Sequence, residues 1–290
     1  MKLIWKFNIA LLVLFANGFA ISGYVSYRVL QANARDEILQ NARVMMESAL
    51  SARTYTVTQV KPLLDTQQKY FFRPQTVPAY AATEQFNELR KKYPDYGYKE
   101  ATLNPTNPRD RATDWEADVI NQFRQSTGRT EMLGQRITPA GPSLYLARPI
   151  QITNAACLPC HSTVDAAPAT MIAAYGDANG FGWKLNEIVG AQIVSVPMSV
   201  PIERANRSLR TFLLSLAIVF LVTFVLLNVM LHTIVIRRIT RLSTLADQVS
   251  LGNLEAGDFV AGSTDEIGVL TGALSRMKAS LVHVMKILEG

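Results

Sequence analysis

The run Cys157-Leu158-Pro159-Cys160-His161 places two thiols three positions apart, with a histidine directly after the second. Thiols so spaced can add across the two vinyl groups of a haem, and the adjacent imidazole then reaches the iron from the same side. The chain has two cysteines, and both lie in this run. Other chemistries use the same residue types. A thioredoxin-like redox pair needs a strand feeding an active-site helix within a βαβ pattern, whereas Thr153-Asn154-Ala155-Ala156 has the composition of a loop. A structural disulfide stays open. Zinc normally takes four ligands, and Cys157, Cys160 and His161 supply three crowded ones with no fourth nearby. The spacing favours one covalent haem c, with Cys157, Cys160 and His161 as the cofactor-binding residues and His161 as the metal ligand.

The sixth iron position is left open by the sequence. Of the three histidines, His232 and His283 lie in or beyond the second apolar run described below, so His161 is alone in the haem-bearing segment. Met45, Met46, Met132, Met171 and Met198 are candidate thioether ligands, although a methionine commonly fills a core. A water-occupied or open position is equally compatible and favours binding NO, CO or O2. Arg109, Arg111, Arg148 and Lys184 are candidate partners for the haem propionates. Asp114 and Glu116 have no evident acid-base partner, and no nucleophile, phosphate loop or hydrolytic metal site stands out. The expectation is a protein that is not an enzyme.

The elements that must position this motif follow from the distribution of apolar residues. Of 290 residues, 49% are hydrophobic and 18% charged. Two nearly uncharged runs stand out. Phe7 to Tyr27 follows Lys2 and Lys6, and Thr211 to Ile236 precedes Arg237, Arg238 and Arg241. Each is long enough to cross a hydrocarbon core of ~30 Å as a helix. The first exceeds the usual apolar core of a cleaved signal peptide, so a retained anchor is expected. The basic flanks place both termini in the cytoplasm, with Arg204, Arg207 and Arg210 as a smaller opposing group. The net charge of +6 is largely membrane-flanking, without the basic-aromatic interleaving of a nucleic-acid surface.

The expected division is therefore 1–27 (stub and first span), 28–210 (extracytoplasmic domain), 211–236 (second span) and 237–290 (cytoplasmic module). Within the domain, helical spacing of Ala34, Ala42, Met45, Met46 and Leu50 predicts a helix from Arg28 to about Leu64. Prolines from Pro74 onward punctuate shorter helices over Ala81 to Lys92 and Ala112 to Gln125. Alternation predicts strands over Glu131 to Ile137, Leu144 to Ile150 and Ala191 to Val200. Helices with antiparallel strands in one segment give an α+β class. Gly180-Phe181-Gly182-Trp183 is a glycine-set turn that can wall a planar ligand or fill a core corner.

Beyond the second span, Ile239, Leu242, Ala246 and Val249 keep helical spacing until Gly252. A second helix begins at Asp265-Glu266, with Ile267, Leu270, Leu274, Met277, Leu281, Val284 and Leu288 forming a heptad seam. Two such helices cannot bury their stripes alone, and two copies would form a parallel four-helix coiled coil, which predicts a homodimer. The arrangement resembles a HAMP signalling module, with Ile239 near the place of its usual proline.

The central segment resembles the bacterial Tll0287-like haem domain. The resemblance rests on Asn104-Pro105-Thr106-Asn107-Pro108, Trp115-Glu116, Ala147-Arg148-Pro149-Ile150 and Cys157-Leu158-Pro159-Cys160-His161. It continues in Tyr175-Gly176, Gly180-Phe181-Gly182-Trp183-Lys184 and Val194-Ser195-Val196-Pro197, and so covers about Val60 to Val200. It implies a PAS-like fold, with Cys157 and Cys160 as thioether attachments and His161 as the proximal ligand. Similar proteins carry kinase, cyclase or chemoreceptor outputs. This sequence ends at Gly290, so the signal is expected to pass to a separate cytoplasmic signalling partner or to a part outside this sequence. The expected function is a two-pass receptor subunit of the bacterial inner membrane, sensing redox state or a small gas. The alternative is a membrane-anchored monohaem electron carrier.

Overall fold

The computed structural model describes residues 3–126, 128–260, 262 and 264–288, with the backbone alone for Leu3, Lys286 and Leu288. Lys2 and Gly290, which entered the reading of topology and output, lie outside the described residues, as does the Leu288 side chain of the seam. The chain divides into two compact units, Tyr27–Ser208 and a second made of Met1–Ser26 with Leu209–Gly290.

The central unit is built on four antiparallel strands: β1 (Gly97–Thr102), β2 (Met132–Thr138), β3 (Gly141–Gln151) and β4 (Ile188–Pro197). Their spatial order is β1-β4-β3-β2, so the last strand in sequence lies between β1 and β3. The period of two along each strand sorts residues onto two faces. Tyr98, Leu146, Val194 and Val196 pack with Ile38, Ala42, Met46 and Ala49 of helix α1 (Leu3–Tyr55) and with Ala82 and Phe86 of α3 (Pro78–Lys92). Ala101, Ala147, Ala191 and Ile193 face the other way, onto Val119, Ile120 and Phe123 of α4 (Asp114–Gln125). This is an open-sheet, mixed α+β fold of PAS-like type.

Several boundaries differ from expectation. The helix expected from Arg28 to Leu64 is α1 running on from Leu3, then a π-helical segment, Thr56–Val60, then α2 (Lys61–Gln68). Helix α4 starts at Asp114 rather than Ala112, because Thr113 and Glu116 form a reciprocal capping box there. Strand β4 begins earlier than expected and ends at Pro197; Ser199 already opens α7 (Ser199–Met230). Strand β1 was not expected. Its alternation is hidden because Lys99 pairs with Glu116 on one face and Glu100 with Arg53 on the other.

Two long apolar helices flank this domain in sequence, and their most apolar stretches are not buried within the protein. In the second unit, Phe15 of α1 stacks on Phe220 of α7 at 4.9 Å. A π-helical turn, Leu231–Ile236, leads into α8 (Arg237–Ser250). Gly252 takes φ +91 where α8 ends, a conformation that favours glycine. Helix α9 (Glu266–Leu288) is capped by Asp265, whose Oδ1 accepts from Gly268 N at 2.9 Å. Leu242, Val249, Ala256 and Phe259 form a small core with Ile267 and Leu274. Leu270, Met277, Leu281 and Val284 of the seam remain exposed.

Candidate functional site

The motif sits in the long connection between β3 and β4. Asn154 opens it by accepting from Ala156 N at 2.8 Å, which starts a short 3-10 turn, Ala155–Cys157. That turn runs into α5 (Leu158–His161), with Pro159 in its first turn, where a missing N–H costs nothing. Cys157 and Cys160 thus fall about one helical turn apart; both are unpaired and half-buried.

His161 is held from three sides. Its Nδ1 lies 2.8 Å from the carbonyl oxygen of Gly180. That oxygen can only accept, so Nδ1 carries the proton and Nε2 keeps a free lone pair. Burial holds the imidazole below its ordinary pKa, and the Gly180 carbonyl opposes that shift. Trp183 stacks on the ring with centroids 4.0 Å apart and planes 13° from parallel. Thr106 Oγ1 lies 3.5 Å from Nδ1.

Two stretches far apart in sequence supply these contacts. Asn104 spans the glycine turn, donating from Nδ2 to Phe181 O and accepting from Gly180 N, both at 3.3 Å. The turn also reaches α5 directly, as Gly182 N donates to Ser162 O and Trp183 N to His161 O. Gly180 has φ +88, and a Cβ there would collide with Thr106, whose Cα would be 2.8 Å away. The turn is therefore a wall of the histidine site.

Free thiols one turn apart, beside an imidazole with a locked tautomer and an available Nε2, fit a covalently attached haem. The three side chains do not gather as a metal-holding cluster of their own among the described residues. The Cys157-Cys160-His161 spacing supports attachment of a single c-type haem.

The other candidates are placed elsewhere. Met45, Met46 and Met198 belong to the α1–α3 face of the sheet and Met132 to the α4 face, so these four have packing roles. Met171 is buried in α6 (Ala169–Tyr175), outside those two clusters. Arg148 is held by Glu47 at 2.7 Å and Glu131 at 3.2 Å, on the α1 side. Arg109 pairs with Glu84 and covers the Tyr80 ring at 4.9 Å, while Arg111 donates to Asn179 at 2.9 Å. The Lys184 backbone N–H donates to Glu187. Glu116 is a capping residue paired with Lys99 at 2.7 Å.

Sequence reasoning missed two cations, Arg53 and Lys61. Arg53, at the end of α1, pairs with the buried Glu100 of β1. Lys61, at the start of α2, is within reach of Cys160, whose thiol burial pushes up and Lys61 pulls down. Only a helix continued past Tyr55 with correct register would have revealed them.

The crystal structure of the cyanobacterial haem protein Tll0287 is similar over 56% of this chain and 95% of its own, with 19% identity and a TM-score of 0.44. No curated protein matches the chain. The family model described as Tll0287-like matches residues 31–197, which hold all four strands, the cysteine motif and the turn that closes on His161. Over half of the sequence is thus accounted for by one family of non-catalytic haem-sensor domains, and the chain belongs to the Tll0287-like family.

Proposed function

We propose that the chain is a two-pass receptor subunit of the bacterial inner membrane. In this reading residues 28–210 form an extracytoplasmic haem sensor, 1–27 and 211–236 contain the spans, and 237–290 form a cytoplasmic HAMP module. Cys157 and Cys160 carry the thioethers and His161 Nε2 is the proximal ligand. Bound haem supplies one-electron redox chemistry and, at a free axial position, binding of NO, CO or O2.

The observation that carries the reading is the lock on His161. The 2.8 Å bond to Gly180 fixes tautomer and ring rotation together, as second-sphere partners do for metal-bound histidines. The turn that bonds His161 lies in the connection feeding β4, and β4 leads through Met198 into α7. A change at His161 therefore has a short covalent route to the helix containing the second apolar run. Helices α8 and α9 with their exposed seam support a homodimer, in which two packings of a four-helix module differ little in energy. A separate cytoplasmic partner would take up that change.

A monohaem electron carrier is the competing reading; it needs one anchor and no seam. The deciding experiment takes the full chain, made with c-type haem maturation, and records spectra oxidised, reduced, and reduced with CO. A reduced spectrum that shifts with CO supports gas sensing. A covalent haem indifferent to CO supports redox sensing or electron transfer, and absence of covalent haem overturns the reading.

A further inference from the structure

Helices α8 and α9 and the connector between them enclose a small cleft that the haem reading does not use. Arg238 and Arg241 of α8, Asp258 and Phe259 of the connector, and Ile267 and Thr271 of α9 line it. Its volume is about 170 Å³. A drug-sized ligand needs ~300 Å³ or more, so the cleft suits one small head group with the rest of its molecule outside. The exposed seam residues Leu270, Met277, Leu281 and Val284 are not part of the lining, so seam and cleft are separate surfaces.

The cleft is positive despite the Asp258 carboxylate. Lys278 of α9, with a side chain 13% exposed, donates to Asp258 Oδ1 at 3.0 Å and to Ala256 O at 2.6 Å, and so neutralises that charge. Arg238 Nη1 lies 3.6 Å from Asp265 Oδ2, beyond hydrogen-bond length, which leaves the guanidinium donors available. Arg241 has no counter-ion among the described residues. Guanidiniums three positions apart share a helix face, and each can bind a phosphate through two parallel N–H groups.

The place of the cleft along the chain names the source of such a phosphate. The apolar run ends at Ile236, and Arg238 and Arg241 follow two and five residues later. At about 1.5 Å per residue they lie ~3 and ~7.5 Å past the run. The polar layer of one leaflet is about 5–8 Å deep, so both reach the level of lipid phosphates. The connector adds an apolar rim, since Val260 lines the cleft and is 76% exposed. Cations beside an exposed apolar residue fit an amphiphile better than a free ion.

We propose that this cleft binds the phosphate of an anionic membrane lipid, held between Arg238 and Arg241. The proposal rests on the reading of 211–236 as a membrane span. Because Arg238 also pairs with Asp265, the residue that caps α9, an occupied cleft touches the start of the helix that carries the seam.

The test places the full chain in phosphatidylcholine vesicles with a trace of spin-labelled phosphatidylglycerol. EPR reads the association of that lipid with the chain relative to spin-labelled phosphatidylcholine. Arg238→Gln and Arg241→Gln are each expected to lower the preference roughly fivefold, the worth of one cation at a membrane surface. Arg237→Gln removes the same charge from an exposed position outside the cleft, and is expected to change the preference far less. Equal losses in all three variants, or none in Arg238→Gln and Arg241→Gln, would reduce the effect to unspecific attraction and overturn the site while leaving the span reading intact. Inorganic phosphate that binds the chain in pure phosphatidylcholine vesicles, and is lost in the same two variants, would overturn the lipid as occupant. A chain that alkaline carbonate strips from the vesicles would overturn the span reading and this proposal together.

Discussion

The indole of Trp183 lies 4.0 Å from the imidazole of His161, centroid to centroid, and 13° from parallel to it. The stacked ring restrains tilting of the imidazole, while the Gly180 carbonyl stops its rotation from the other side. Neither residue takes part in attachment through Cys157 and Cys160. Trp183→Leu is therefore expected to keep covalent haem on a denaturing gel. It should destabilise the domain by about 1 kcal/mol, the worth of an aromatic pair, and broaden the ferric EPR signal as the imidazole plane loses its restraint. An unchanged EPR spectrum would show that the carbonyl alone orients the ring.

Gly180 is the other half of that lock. Its φ of +88 and the closeness of Thr106 both exclude a side chain. Gly180→Ala is expected to cost roughly 2 kcal/mol from the strained backbone and the displaced turn. Because the displaced atom is the acceptor for Nδ1, the spectrum of bound haem should change along with stability. Thermal denaturation followed at the haem band measures both. Gly182 has φ +83 but open space around a Cβ, so Gly182→Ala should cost stability with a smaller spectral change.

The chemistry of the site was legible in sequence because it is written in consecutive residues. The cysteine spacing depends on one turn of chain, and the Asn104–Pro108 and Gly180–Lys184 motifs each fold locally. Their convergence on His161 was not legible. Asn104 and Gly180 are 76 positions apart, and only the insertion of β4 between β1 and β3 brings them together. Strand β1 escaped notice for a related reason: Lys99 and Glu100 look like a solvated pair, yet Glu100 is buried and Lys99 half-buried, each against a partner on a different helix. Helical spacing recovered α1, but the π segment Thr56–Val60 leaves no mark in the apolar pattern.

Asp110 provides a pH test away from the haem ligand. Burial raises its carboxyl to about 6; Arg109 and Lys99 oppose the shift, and Glu100 and Glu84 add to it. Its native pKa thus lies above its unfolded value, so the folded chain holds a proton that the unfolded chain releases. Stability from this group falls as pH rises from about 4 to about 6 and stays reduced above. At about 1.4 kcal/mol per pKa unit, the loss is at most about 3 kcal/mol. Asp110→Asn is expected to match wild type in urea denaturation at pH 4 and to exceed it at pH 7.5. A gain of equal size at both pH values would show a packing effect instead.

The terminal helices give the last prediction. Within one copy, Leu274 and Ile267 of α9 reach the small core with α8, whereas Leu270 is 46% exposed, Leu281 43% and Val284 52%. These exposed residues fall at heptad spacing, which a second copy would bury in the expected parallel module. Leu281→Glu places a charge in that seam without touching the α8 contacts, so the fold of each copy should survive while association weakens. One buried leucine is worth roughly 1.5–3 kcal/mol, and it is lost from each of two copies, so the dimer should weaken by two or more orders of magnitude. Light scattering of the detergent-solubilised full chain over a wide concentration range measures this. A wild-type chain that stays monomeric throughout would remove the module's means of signalling, whatever the haem does.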